Sequence, residues 1–317
     1  MNSLLRWLPA ALLAALSAVP AVASAQQYPV KPVRIITAAA GGGSDFATRL
    51  IATPLGAALG HQFIVDNRGL LAADIAAKSP ADGYTLLLSG QTLWLLPYMR
   101  DNVASNVTDF APVVLATETA NILVVHPALP VKSAKDLVTL AKSRPGQLNY
   151  ATSGVGNSVH LAGELFKYLS RADVVRVNYK AASQALTDLI AGQTQFMFAV
   201  PGSSLPHVHA GRLRALAVTS AKPTPLAPDL PTVSQSLPGY ESVSRLAIFA
   251  PAGTPPAIVS RLNQEIARIL ARADVKDKFF SASMETVGGT PESLAALIKS
   301  EMDKMGKVIK AAGIRAD

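Results

Sequence analysis

The stretch at residues 33–49 changes from a strand pattern to a helix pattern across three consecutive glycines. Apart from Arg34, residues 33–37 are apolar or β-branched, which predicts a buried strand. The glycines at 41–43 follow, and then Ser44 and Asp45, either of which could cap a helix. Such a junction leaves backbone N–H groups unpaired at the positive end of the helix dipole. It can therefore bind an anion, or it can be an ordinary tight turn.

A second junction of this kind lies at residues 152–160, where a Gly/Ser loop follows a strand pattern and opens onto an amphipathic helix. The first loop matches neither the Walker A motif nor Gly-x-Gly-x-x-Gly, so a carboxylate is as good a candidate ligand as a phosphate. Two anion-ready helix ends in separate units indicate a cleft that holds a ligand from both sides.

Strand and helix patterns alternate along the chain in two successive units, which predicts the α/β class with doubly wound sheets. Strands of the first unit are expected at 33–37, 62–66, 84–88, 113–117 and 122–125. Strands of the second are expected at 148–151, 174–179, 195–200 and 213–219. After a proline-rich loop at 222–239, the pattern predicts a strand at 242–250, a long amphipathic helix from Pro255 and a last helix at 292–312.

Residues 1–25 are typical of a secretory signal peptide. Arg6 is their only charge, residues 8–22 are almost wholly apolar, and Ala23-Ser24-Ala25 fits a small-x-small cleavage site. About 290 residues would remain after cleavage, enough for two domains. The chain has no cysteine, which excludes disulfides and thioether lipidation. We therefore expect a soluble protein in a bacterial periplasm.

The formal net charge of +8 does not indicate a nucleic-acid partner, because the Lys and Arg residues form no basic run. Catalysis is not indicated either: Ser153 lies outside any Gly-x-Ser-x-Gly elbow, and nothing in the spacing brings His160 to a serine and an acid. His207 and His209 lack a third nearby ligand, so they are read as surface histidines. We expect no catalytic residue, no metal and no cofactor.

Short motifs spread over the whole mature chain resemble those of the solute-binding proteins of tripartite tricarboxylate transporters, also called Bug proteins. The motifs are Tyr28-Pro-Val-Lys-Pro-Val-Arg34, Gly41-Gly-Gly-Ser-Asp45, Asp82-Gly-Tyr-Thr85, Leu148-Asn-Tyr-Ala151, His160-Leu-Ala-Gly-Glu164, the segment 211–220, Pro231-Thr-Val, Ala250-Pro-Ala-Gly-Thr-Pro255 and the segment 306–313.

The resemblance implies a two-lobed, type II Venus-flytrap binding protein, each lobe a mostly parallel sheet flanked by helices. Lobe 1 would comprise residues 26–125 and 243–317, and lobe 2 residues 126–242. Such a protein would act as a monomer, hold a small carboxylate in the cleft and pass it to membrane transporter subunits. Presentation of the ligand to a periplasmic sensor is the alternative.

Carried over by position, the resemblance also implies the residues that would line the cleft. The first carboxylate loop would be Ala38, Ala40, Gly41, Gly42, Gly43, Ser44 and Asp45, and Ser89, just after the strand expected at 84–88, would join it. The facing loop would be Ser153, Gly154, Asn157, Ser158 and His160. The remaining wall would be Tyr179, Lys180, Ala181, Ala199 and Arg245.

This chain departs from the family pattern at four places, all of which would alter the size or charge of the pocket. Ala38 replaces an aromatic residue, the loop at 69–74 is shorter, Ala199 stands where Asp is common, and Arg245 stands where Trp is common. Arg245 has two readings: a surface or hinge arginine, or a guanidinium that reaches the cleft and pairs with the ligand carboxylate.

Overall fold

The computed structural model describes residues 28–316, which contain eleven β-strands in two sheets. The strands are β1 (Val33–Thr37), β2 (Phe63–Asn67), β3 (Thr85–Gly90), β4 (Phe110–Ala120), β5 (Ile122–Val125), β6 (Asn149–Ser153), β7 (Val175–Tyr179), β8 (Phe196–Ala199), β9 (Arg214–Val218), β10 (Val243–Pro251) and β11 (Glu285–Gly288).

Ten α-helices connect and cover these strands within residues 28–316. They are α1 (Gly43–Leu59), α2 (Ala72–Ala77), α3 (Thr92–Leu95), α4 (Ala134–Ser143), α5 (Ser158–Ser170), α6 (Ala182–Ile190), α7 (Pro201–His209), α8 (Pro256–Ala271), α9 (Ala273–Ser281) and α10 (Pro291–Ala311). Short 3-10 turns lie at Gly69–Leu71, Leu96–Tyr98, Val107–Asp109 and Val233–Gln235.

One sheet has six strands in the order β11-β4-β10-β3-β1-β2, and the other has five in the order β7-β6-β8-β5-β9. In the first, β1 is parallel to β2 and β3, whereas β10 is antiparallel to β3 and β4. In the second, β6 is parallel to β7 and β8, whereas β5 is antiparallel to β8 and β9. Parallel strands joined by helices confirm the α/β class. The chain changes sheet between β4 and β5 and again between β9 and β10, and each of these strands has an antiparallel neighbour.

The chain passes between the sheets twice, and one residue holds both passages together. At the first passage Asn121 separates β4 from β5, and its N–H donates to Thr219 Oγ1 at 2.8 Å. At the second passage the N–H of Ser242 donates to the Thr219 carbonyl at 3.0 Å. Strand Ile122–Val125, which the sequence places in lobe 1, thus pairs in the five-stranded sheet. The change of sheet lies at Asn121 rather than after residue 125.

Helix α8 confirms the scaffold role that its sequence predicts. Its apolar stripe is buried along its whole length, at Ile258, Val259, Leu262, Ile266, Ile269 and Leu270. These side chains join the core cluster that also contains the buried faces of β1 and α1. Apolar residues that recur with the 3.6-residue period of the helix form one face, and burial of that face is the main source of stability for such a helix.

Two elements near the C-terminus were not predicted. Helix α9 presents only Val275 and Phe279 to the core, too few to make a periodic apolar pattern. Strand β11 is a four-residue edge strand that pairs only with β4. The segment that joins α9 to β11 proves to lie beside the predicted cleft, as described below.

Within residues 28–316, none of the helices combines the length and apolarity needed to cross a membrane. The predicted signal peptide, residues 1–25, lies outside the described part of the chain.

Candidate functional site

The first predicted loop begins where β1 ends at Thr37 and finishes at the exposed start of α1. Gly42 is the N-cap, with extended backbone angles of φ −90° and ψ 173°, and it provides no side-chain cap. Gly42 and Gly43 are exposed, as is Ala38, whereas Ser44 is half-buried. An uncapped helix start directs its first-turn N–H groups at whatever lies in front of it, and it favours negative charge there.

Asp45 shapes this loop rather than facing a ligand. Its carboxylate accepts from the Gly41 N–H at 2.9 Å and from Asn67 Nδ2 at 3.0 Å, and it pairs with Arg49 at 2.9 Å. These hydrogen bonds, the Gly41 N–H first among them, lower the pKa of Asp45 to about 2. Because this buried, ionised group would repel a ligand carboxylate, the predicted contact through Asp45 is corrected to a role in loop shape.

The second predicted loop follows β6 and is closed by its own residues. Gly154 and Gly156 have positive φ angles of 69° and 74°, which glycine adopts without strain. Asn157 caps α5, since its Oδ1 accepts from the His160 N–H at 2.9 Å and its Nδ2 donates to the Ser153 carbonyl. The side chain of Asn157 is therefore committed to the loop.

His160 lies fully buried behind that loop, with no exposed surface. Its Nδ1 accepts from the Gly156 N–H at 3.0 Å, and its Nε2 lies against the Arg176 guanidinium. Burial first, and then the Arg176 charge, lower the pKa of His160 to about 4, so the ring is neutral at neutral pH. The predicted ligand contact through His160 is corrected: the ring braces the loop from inside.

The other predicted wall residues lie at or near the ends of strands. Tyr179 ends β7 and is half-buried, and burial together with its hydrogen bond to Asp188 raises its pKa. Lys180 and Ala181 follow it and are exposed. Ser89 on β3 is half-buried, whereas Ala199 at the end of β8 is fully buried. The methyl group of Ala199 therefore cannot contact a ligand, and that prediction is corrected.

Arg245 matches the hinge reading and not the cleft reading, but it is buried: it is 3% exposed and surrounded by carboxylates. Its Nε donates to Glu118 at 2.7 Å, its Nη2 to Glu241 at 2.7 Å, and its Nη1 lies 3.3 Å from Glu301. Glu118 is on β4 and Glu301 is on α10, so the guanidinium ties both crossing strands to the last helix. Arg245 is a buried hinge residue with no nitrogen left for a ligand.

Four close contacts were not predicted, and three of them join residues 122–242 to the rest of the described chain. A Cβ placed on Gly43 would lie 2.9 Å from Met284 Cε, and a Cβ on Gly202 would lie 3.1 Å from Ser283 Oγ. The Met99 sulfur would lie 2.6 Å from a Cβ on Gly156. Thr224 Oγ1 also donates to Glu285 Oε1. Among these contacts, only the one at Gly202 has a sequence signal nearby: Pro201 occupies the first position of α7, where proline is favoured.

Within residues 28–316, no group of three or more His, Asp or Glu side chains could hold a metal ion. His207 and His209 lie two apart near the end of α7, and such a spacing puts them on different faces of a helix.

A surface cavity of about 630 Å³ lies away from both loops, between α5 and α10. It is lined by Leu165, Tyr168, Leu169, Gly239, Ala296, Lys299, Ser300, Asp303, Lys304, Lys307 and Val308. None of the predicted ligand residues contributes to it, and no parallel strand ends there. We therefore place the candidate site at the two loops, where ligands of open α/β sheets bind.

Comparison with known proteins bears out the resemblance read from the motifs. The family described as "Tripartite tricarboxylate transporter family receptor" matches residues 47–314. Protein BugT of Bordetella pertussis is 31% identical over 313 residues, with 95% of each chain covered.

Two solved structures extend this comparison to the fold. The structure titled "R. palustris Rpa4515 with adipate" is 35% identical, with a TM-score of 0.72 and coverage of 91% of this chain and 99% of that one. MatC from Rhodopseudomonas palustris with bound malate is 27% identical, with a TM-score of 0.68 and coverage of 89% and 100%. These matches confirm the two-lobed fold class.

Proposed function

The chain belongs to the tripartite tricarboxylate transporter receptor family, and on that basis we propose that it is a periplasmic solute-binding protein. It captures a small carboxylate between two lobes and delivers it to a membrane transporter, so it is a receptor and not an enzyme. Lobe 1 comprises residues 28–120 together with 243–316, and lobe 2 comprises residues 122–242. Residues 1–25 direct export as a signal peptide.

The observation that carries this proposal is the exposed, uncapped start of α1 at Gly42. Its first-turn N–H groups bind one ligand carboxylate. The loop after β6 and the residues that follow β7 form the opposite wall, with Ser158 half-buried and Lys180 exposed. Relatives whose structures hold adipate and malate support a dicarboxylate as the ligand class.

The ligand charge is balanced mainly by backbone N–H groups. Arg245 is neutralised by three glutamates, and Arg49 is paired with Asp45. Hydrogen bonds to a charged group contribute about 1.5–3 kcal/mol each, so two or three N–H donors supply about 3–9 kcal/mol towards binding. The residues that we propose to contact the ligand are Ala38, Ala40, Gly41, Gly42, Gly43, Ser44, Ser89, Ser153, Gly154, Ser158, Tyr179, Lys180 and Ala181.

Gly42→Asp separates ligand binding from folding. A Cβ on Gly42 has no neighbour closer than 3.8 Å, and Asp is a preferred N-cap, so the variant should be at least as stable as the wild type. Its carboxylate would occupy the N–H groups and repel the ligand. We expect binding of malate or adipate, measured by calorimetry, to weaken by more than about tenfold, or about 1.4 kcal/mol.

Ser133→Asp is the matched control, because it adds the same charge at the N-cap of α4, away from both loops. A ligand at about 100 times its dissociation constant should also stabilise the wild type and this control by about 2.7 kcal/mol in a thermal-shift assay. Equal affinities for Gly42→Asp and Ser133→Asp would remove the start of α1 from the site.

A further inference from the structure

The segment Ser283, Met284 and Glu285 joins α9 to β11 and contacts three other parts of the molecule. We call these three residues the bridging segment. Ser283 Oγ reaches Gly202 at the start of α7, and Glu285 pairs with Thr224. Both of those partners belong to residues 122–242. Met284, between them, turns to Gly43 in the first loop. Adjacent residues thus contact both sides of the proposed cleft.

The backbone of the bridging segment is fixed in an unusual conformation. Ser283 has a φ angle of 57°, in the left-handed region that residues other than glycine rarely adopt. The N–H of Ser283 donates to the Phe280 carbonyl at 2.8 Å, and the N–H of Met284 donates to the Phe279 carbonyl at 2.9 Å. The end of α9 therefore aims the Met284 side chain at α1. These two hydrogen bonds form a Schellman motif, in which a left-handed residue ends an α-helix.

Met284 lies against the end of α1 that binds the carboxylate in the proposed function. Its Cε is so close that a Cβ on Gly43, the first residue of α1, would lie 2.9 Å away. The side chain is half-buried and unbranched, so its thioether can adjust to a neighbouring group. The Phe46 and Phe279 rings pack edge to face, 6.2 Å between centroids, and link α1 to α9.

The surroundings of the first loop are otherwise small and apolar. Residues 38–40 are three exposed alanines. Across the cleft, Val155 and Val200 stay 44% and 42% exposed in the loops after β6 and β8. The part of a ligand that lies next to these residues meets methyl groups and a thioether, and Lys180 is the charged side chain among the proposed contacts. Apolar contact of this kind favours a hydrocarbon chain over a hydroxylated one.

We propose that Met284 is a specificity-determining residue of the cleft, whose thioether limits the length of the apolar chain that follows the bound carboxylate. This proposal rests on the proposed function and deepens it: the ligand is a dicarboxylate with an unsubstituted hydrocarbon chain. Ser283 and Glu285 hold Met284 at the junction of the two lobes.

The test is the affinity for succinate, adipate and suberate, measured by calorimetry on the wild type and on Met284→Ala. Removing the thioether makes room, so the variant should shift its preference toward the longer acid by about fourfold or more for each methylene accommodated. Met284→Phe fills the same space and should shift the preference the opposite way. Two variants with opposite expected signs keep the test decisive if either one folds poorly.

Met302→Ala is the matched control, since Met302 is also half-buried but lies on α10. Its ratio of succinate to suberate affinity should equal that of the wild type. If the Met284 variants bind with that same ratio, Met284 sets no specificity while the proposed function stands. If the wild type binds none of the three acids, the proposal for Met284 is wrong, and so is the proposal that the ligand has an unsubstituted hydrocarbon chain. Binding of malate in the same assay then shows whether the proposed carboxylate-binding function still holds.

Discussion

Replacing Arg245 by methionine should destabilise the protein far more than the same replacement of an exposed arginine. The guanidinium contacts three carboxylates, of which Glu118 and Glu241 keep about a third of their surface exposed, 32% each. Solvent screens those two, so each pair contributes only about 0–1 kcal/mol. Glu301, with a side chain 8% exposed, is the partner that matters, because without Arg245 its charge is buried and uncompensated.

Loss of one partner of a buried pair costs about 3–5 kcal/mol, and we expect Arg245→Met to fall in that range. For a protein of this size the melting temperature should drop by roughly 2–4 °C for each kcal/mol, hence by about 6–20 °C. Urea unfolding gives the free energy directly. Trp94 donates to Glu301 at 3.0 Å, and the other tryptophan lies in the predicted signal peptide. Intrinsic fluorescence of the mature protein therefore reports on this cluster.

The pH dependence supplies an independent check. Burial raises the pKa of Glu301, whereas Arg245 lowers it, so removing the arginine must raise that pKa further. A carboxyl group whose pKa is raised on folding stabilises the folded state at low pH. That contribution to the free energy of unfolding is lost as pH rises above 4.5, the pKa of the group in the unfolded chain. The stability gap between wild type and Arg245→Met should therefore narrow as pH falls towards that value.

Arg268→Met is the control, because Arg268 pairs with Glu265 on the surface of α8 with its side chain 70% exposed. It should cost no more than about 1 kcal/mol. If Arg245→Met lies within about 1 kcal/mol of this control at neutral pH, and the gap does not change with pH, then the account of a buried charge cluster at the hinge is refuted.

Two further predictions concern the loop after β6 and the helix behind it. Folding lowers the pKa of His160 from 6.5 to about 4. The neutral ring therefore contributes to the free energy of unfolding above pH 6.5, and this contribution is lost as pH falls to about 4. The stability advantage of wild type over His160→Gln should therefore shrink by about 3 kcal/mol across that range in urea unfolding at a series of pH values, and a constant advantage would contradict it. Gly163→Ala would place a Cβ 2.3 Å from the Tyr150 ring. That variant should lose about 1–3 kcal/mol despite the better helix propensity of alanine, whereas equal or greater stability would show that the ring moves aside freely.

Local patterns predicted most of the elements correctly. The stripe of α8 follows from residues within one or two turns of each other. The first loop is of the same kind, since a strand, three glycines and a helix start adjoin in the chain. Helix α9 and strand β11 were missed because each presents too few core residues to make a pattern.

The candidate site could be predicted only as far as its backbone. The positions of both Gly/Ser loops followed from the sequence, but the roles of Asp45, His160 and Arg245 did not. Each of these side chains is polar and lies near a loop or a strand end, which made it a reasonable ligand contact. In the fold each is committed to a protein partner instead.

The sequence by itself determined the order of the elements, the two helix starts and the family, because backbone preference and apolar periodicity act between residues close along the chain. Only the tertiary structure decided which charges are free. Glu118 is 127 residues from Arg245 in the chain but 2.7 Å from it in space, and Met284 meets Gly43 from the far end of the protein. Electrostatic energy and packing depend on distance in space, so no local pattern records them.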